Sequence, residues 1–152
     1  MSDPQLQIRQ RNLPHWTLDG STYFVTFRLA ISPFDEAERR IVLSHICTGA
    51  DKYYLLIAAV VMPDHVHILL HPNKGITLSR IMKGIKGASA RLINEYRNTT
   101  GTVWQAESWD RIVRDADELE EKLQYMANNP IKAGLVDDIS RYVGWYCNPE
   151  SL

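Results

Sequence analysis

The sequence predicts an α+β fold: an antiparallel, ferredoxin-like βαββαβ sheet with helices on one face, followed by one further helix toward the C-terminus. Strand-length runs rich in β-branched and aromatic residues interleave with two segments of helical period, and turn residues separate them. At 152 residues the chain suits one domain with a real core, spanning 1–152, in which residues 1–20 form a basic N-terminal arm.

The elements follow in order. "STYFVTFRLA", from Ser21 to Ala30, alternates and is rich in β-branched and aromatic residues, as a half-buried strand requires. "SPFDEAERRIVLSHICTG" places Pro33 and acidic residues early, spaces Ile41, Val42 and His45 as a helix does, and offers Gly49 as a stop. "KYYLLIAAVVM" is nearly all apolar and reads as a strand buried on both faces. Pro63 and Asp64 supply a turn, and "HVHILLHP" is the returning strand.

From Thr77 to Tyr96 a longer helix puts Leu78, Ile81, Met82, Ile85, Leu92, Ile93 and Tyr96 on one face. Arg80, Lys83 and Arg91 lie opposite, with Lys86 and Arg97 toward one flank. "WDRIVRD", Trp109 to Asp115, has a short strand pattern. "DADELEEKLQYMANN" is the last helix, with Asp115 as N-cap, Glu118 as its capping-box partner and Pro130 as its stop. The remaining tail is partly apolar and is expected to pack back on the body.

Composition removes several classes of function. A net charge of −1 argues against coating nucleic acid through bulk charge, while leaving room for a local basic face. Two cysteines, Cys47 and Cys147, are too few and too far apart for a disulfide framework or a zinc site, which suits a reducing compartment. The first residues lack the apolar core of a secretion signal, and no run approaches membrane-spanning length. A cytoplasmic protein without a membrane partner is the expectation.

The chemistry concentrates in "AAVVMPDHVHILLHP". His65 and His67 are two apart on a strand, so both imidazoles stand on one face. Two readings stand: a solvated or locally hydrogen-bonded pair, or two neutral imidazoles that bind one metal ion or a phosphate. His71 shares the parity but sits at the strand end, where a local role suffices. The position of a third strand histidine is Leu69, which excludes the His-x-His-x-His scheme of phosphoanhydride cleavage. Further ligands and a nucleophile must therefore come from another element. Tyr125 and Asn129, four apart on the last helix, share a face. An amide oxygen suits magnesium or manganese, and a phenol can act as a covalent nucleophile. Against that stands ordinary packing for Tyr125 and ordinary capping for Asn129.

Four blocks in order, "RNLPHWTLDGSTYFVTFRL", "VVMPDHVHILLHP", "VWQAESWDRIVRD" and "YMANNPIKAGLV", resemble the REP-associated tyrosine transposases. These are relatives of the single-tyrosine insertion-sequence transposases of the HUH superfamily. The resemblance implies that His65, His67 and Asn129 hold Mg2+ or Mn2+ and that Tyr125 is the nucleophile. It also implies an activity: single-strand DNA cleavage and strand transfer on hairpin-forming palindromes, through a 5′-phosphotyrosine link. Since a free phenol is protonated at neutral pH, Lys122, three residues before Tyr125, has two roles open to it: favouring the phenolate, or the ordinary one of a solvated helix lysine.

Single-stranded or hairpin DNA is thus the expected partner. Its expected contacts are Arg80, Lys83, Lys86 and Arg91 on the long helix and Arg9 and Arg11 in the arm. Trp104 and Trp109 have either core packing or base stacking open to them. Either a monomer or a homodimer accommodates this chemistry. The competing readings are a noncatalytic hairpin-DNA-binding regulator and an RNA-binding module. The second displays aromatics on its central strands, where this chain has histidines.

Overall fold

The computed structural model describes residues 20–149. Arg9 and Arg11, and with them the N-terminal arm, lie outside the described residues. The elements are β1 Thr22–Leu29, α1 Glu36–Thr48, β2 Tyr54–Val61, β3 His65–Pro72, α2 Leu78–Arg97, β4 Trp104–Val113, α3 Ala116–Lys132 and β5 Trp145–Cys147, with a 3-10 turn at Ile139–Arg141 before β5. The strands pair antiparallel in the order β4-β1-β3-β2-β5. The first four have the order a βαββαβ chain produces.

Helices cover both faces of the sheet, and this decides where the site sits. On one face α1 and α2 bring Val42, Ile46, Ile81, Ile85 and Ile93 against Val25, Phe27, Val66, Ile68 and Leu70. On the other, α3 packs Leu119, Leu123 and Met126 against Ile57, Val60, Leu69 and Val113. Inner strand β2 is apolar throughout because each of its faces meets a helix. A register shift between Leu56 and Ala58 puts consecutive Ile57 and Ala58 in the α3-side core.

Local chemistry sets the ends of the helices. Asp35 and Glu38 form a reciprocal capping box at α1, with bonds of 2.8 and 2.9 Å. Gly49 does close α1, but with an ordinary right-handed backbone. The space it leaves is used by Tyr54, whose hydroxyl would lie 2.5 Å from a Cβ there and which donates to Ile46 O at 2.5 Å. At α3, Asp115 caps Glu118 N at 2.8 Å, yet the Glu118 carboxylate turns to Arg111 at 2.9 Å instead of completing a box.

Three further sequence expectations are corrected here. Pro130 does not stop α3: the helix runs through it to Lys132 and forgoes the one bond that a residue-130 N–H would make. Gly134 ends it, left-handed at φ 75°. Its N–H donates to Ile131 O at 3.0 Å, and that of Leu135 to Pro130 O at 2.9 Å, the paired bonds of a Schellman close. The fourth strand starts at Trp104 instead of Trp109, since Trp104 pairs with Leu29 across a bulge. Tyr96 is half exposed, and its hydroxyl donates to Asp35 Oδ2 at 3.5 Å. The tail packs back as expected and adds a strand, β5, along the edge of β2.

Candidate active site

Strand parity puts His65, His67 and His71 on the α3 face of β3, and Thr22, Phe24, Thr26 and Arg28 on the same face of β1. The register pairs Thr26 with His67 and Arg28 with His65. Each imidazole is oriented through Nδ1. His65 Nδ1–H donates to the Asp64 carboxylate at 2.7 Å. His67 Nδ1 meets the Thr26 hydroxyl at 2.7 Å, and His71 Nδ1 meets the Thr22 hydroxyl at 3.0 Å. A carboxylate only accepts, so Asp64 leaves the neutral His65 ring with a lone pair at Nε2.

That lone pair faces Asn129 Oδ1 at 3.2 Å. The amide orientation follows from its other end, where Asn129 Nδ2 donates to the Tyr125 carbonyl at 3.0 Å. Two acceptors thus confront one another, which is repulsive unless a cation or a proton lies between them. His67 Nε2 is buried beside them and has no hydrogen-bond partner. Orphaned buried nitrogens of this kind call for a ligand. Burial above all, then the charges of His65, Arg28 and Lys122, lowers the His67 pKa to about 3. The Asn129 amide works weakly against this shift, from outside hydrogen-bonding geometry. The ring is therefore neutral across the physiological range, as a metal ligand must be. Two imidazole nitrogens and one amide oxygen suit a divalent cation of the magnesium-to-manganese kind.

Tyr125 stands over the pair. Its ring meets His67 edge-on at 5.4 Å and Phe24 at 6.2 Å between centroids, and it is 51% exposed. Phe24 stacks on His67 at 5.1 Å and carries the Lys122 ammonium 5.2 Å from its ring centre. With Thr26, Arg28 and Trp109 these residues line an open depression of about 440 Å³. His65, His67, Tyr125 and Asn129 thus come together within one chain, two from β3 and two from α3.

The basic residues expected on the long helix do not join them. Arg80, Lys83 and Arg91 project from α2, which covers the opposite face of the sheet. Lys86 is engaged: its ammonium donates to Gln105 O at 2.8 Å and Ser108 Oγ at 3.1 Å, fastening β4 to α2. Arg97 grips buried Glu38 and the Ser32 and Pro33 carbonyls, and so holds α2 to α1. Trp104 is core, its indole N–H donating to Ser89 Oγ at 2.9 Å, whereas Trp109 is half exposed. The sequence reading missed Thr26, Arg28 and Asp64. Asp64 was visible beside His65, but Thr26 and Arg28 need the β1–β3 register, which periodicity alone does not supply.

The His67 environment makes a stability prediction. Its folded-state pKa lies below the 6.5 of the unfolded chain, so between about 3 and 6.5 the unfolded state binds a proton that the folded state refuses. Stability should therefore fall as pH drops through that window, by up to about 1.4 kcal/mol per pH unit from this group. Urea titrations in EDTA at pH 5.0 and 6.5 should show a steeper loss for the wild type than for His67→Gln. Equal losses would remove His67 from this account.

No helix among the described residues is long and apolar enough to cross a membrane. A Haemophilus influenzae protein described as a REP-associated tyrosine transposase is 25% identical, matching 53% of this chain and 52% of its own length. The chain thus spans about half the length of that relative. Among solved structures, a REP-associated tyrosine transposase bound to a REP hairpin superposes with a TM-score of 0.67 at 21% identity, covering 84% of this chain and 77% of that one. This likeness carries the fold. A family model supplies the lineage: residues 34–128, from the end of the first loop to the turn of α3 that holds Tyr125, match the IS200-like transposase model, and the chain belongs to that family.

Proposed function

We propose that this protein is a metal-dependent single-strand DNA endonuclease and strand transferase acting on hairpin-forming palindromic DNA through a covalent 5′-phosphotyrosine intermediate. One observation carries the reading: His65 Nε2 and Asn129 Oδ1 meet beside the unpartnered, buried His67 Nε2 and an exposed tyrosine that makes no other use of its hydroxyl among the described residues. The hairpin substrate is argued from the relatives, one described as REP-associated and one solved with a REP hairpin.

His65, His67 and Asn129 would hold Mg2+ or Mn2+, which when bound neutralises and polarises a phosphate. Asp64 and Thr26 fix the two imidazoles so that both Nε2 atoms face inward without reorganisation. The Tyr125 oxygen attacks phosphorus as its proton leaves to solvent, helped by the Lys122 charge in the same depression. The bond to the 3′ oxygen breaks, that oxygen takes up a proton, and the strand stays joined to Tyr125 through its 5′-phosphate. Attack by an incoming 3′-hydroxyl reverses these steps and joins strands without ATP, because the phosphotyrosine conserves the bond energy.

The test is a denaturing gel of the protein with end-labelled hairpin DNA and Mn2+. A shifted band that retains the label 3′ of the nick, and that EDTA prevents, is expected. Hairpin binding with no covalent band would favour a noncatalytic regulator.

Arg28 and Lys122 are the cations that line the site's own depression among the described residues. The α2 stripe can touch only DNA that passes around the sheet. If it does, neutralising Arg80, Lys83 and Arg91 together should flatten the log–log salt dependence of binding by up to about 2.7, at roughly 0.9 per phosphate contact. An unchanged slope would assign α2 an ordinary solvated face.

A further inference from the structure

Trp109 has no part in the chemistry proposed above, and its position asks for one. The register puts Trp109, Thr26 and His67 in one row across β4, β1 and β3. The indole therefore lies on the same face as the histidines and two strand spacings away, about 10 Å. Helix α3 covers β2 and β3 but leaves this part of β4 bare. The indole is 49% exposed and makes no hydrogen bond or ring contact among the described residues. Trp104, on the same strand, shows the contrast: it is buried and its N–H is satisfied.

The surroundings narrow the occupant. Arg28 and Lys122 line the depression with Trp109, and neither has a carboxylate partner among the described residues. Phe24 and His67 form its floor. A flat apolar ring beside two free cations matches a flat π-system that carries negative charge along its edge. An unpaired nucleotide has that combination, whereas a paired base has both faces already stacked. A purely apolar ligand would leave the cations without counter-charge.

We propose that Trp109 is a stacking platform for one unpaired base flanking the scissile phosphate, with Arg28 and Lys122 holding the backbone phosphates beside it. This rests on reading the histidine face as the DNA-cleaving site. Arginine can also lie against the same base by cation–π contact.

The experiment is a thermodynamic cycle measured by fluorescence anisotropy in EDTA. Hairpins with an unpaired extension are compared with a series carrying one abasic residue at each successive extension position. Wild type should lose affinity at one abasic position close to the cleaved bond. Trp109→Ala should bind the intact extended hairpin about 5- to 150-fold more weakly and lose sensitivity to that same position. Trp109→Phe should recover part of both. Equal binding by Trp109→Ala, or undiminished sensitivity to the abasic position, overturns the stacking site.

The adduct gel is run on the same substrates with Mn2+. An adduct that does not depend on Trp109 overturns the stacking site alone. Trp109-dependent binding with no adduct overturns the nuclease and keeps the base site. Absence of any DNA binding by the wild type overturns both.

Discussion

Tyr125→Phe should eliminate the covalent DNA adduct, a loss on the order of 10³-fold or more, while hairpin binding and metal affinity stay close to wild type. The substitution removes one oxygen and keeps the ring, so the edge contacts to His67 and Phe24 survive. The six other tyrosines are poorly placed to substitute: Tyr23 and Tyr146 pack against the core on the α1–α2 side of the sheet. Tyr54 and Tyr142 are buried, with hydroxyls bonded to Ile46 O and Val61 O, and their desolvation raises both pKa values, that of Tyr54 out of any useful range. Tyr53 and Tyr96 are exposed, but Tyr53 adjoins the depression beside α2 at the far end of β3 from His65, and the Tyr96 hydroxyl reaches Asp35 beside α1. Peptide mapping of the wild-type adduct should therefore find the nucleotide on Tyr125 alone. A modified peptide containing a different tyrosine, or a Phe variant that still links to DNA, would end the proposed mechanism.

Much of this arrangement is legible in the amino-acid sequence, and the particular residues explain why. Period-2 and period-3.6 patterns are local properties, so seven elements and the common face of His65 and His67 could be read from spacing. Tyr125 and Asn129 share a helical face for the same reason. What spacing could not give was the pairing of distant strands. Thr26 is forty-one residues from His67 in the chain and 2.7 Å from it in space, a contact fixed only by the β1–β3 register.

Side also escaped the local patterns. Nothing in "LSRIMKGIKGASARLINEYR" says which face of the sheet the helix will cover, so its cations looked as available to the site as any others. Their separation from it follows from connectivity: α1 and α2 are both crossovers on one face, and α3 is left with the other. Lys86 shows a second limit. A lysine on an amphipathic flank looks solvated until a neighbouring strand brings carbonyl oxygens within reach.

Loss of the histidines should have an effect as large as loss of the tyrosine, through a different quantity. His65→Ala or His67→Ala each removes one of three protein donors, and titration calorimetry with Mn2+ should show affinity falling well beyond the roughly 10- to 100-fold that follows loss of an orienting partner. Asp64→Asn and Thr26→Val supply that comparison within this protein. Each leaves the ligating nitrogen in place and removes only what aims it. The expected order is a large loss for either histidine and an intermediate one for the two partners. Adduct formation should track metal affinity, while hairpin binding in EDTA stays nearly constant. Fold is not at risk from His65, which lies at the strand end. At His67 the cavity left under Phe24 favours His67→Gln as the parallel variant, because it keeps more of the volume. If the double alanine variant still nicks the same phosphate with the same metal requirement, the cation is held elsewhere. The confronted lone pairs of His65 and Asn129 must then be relieved by a proton.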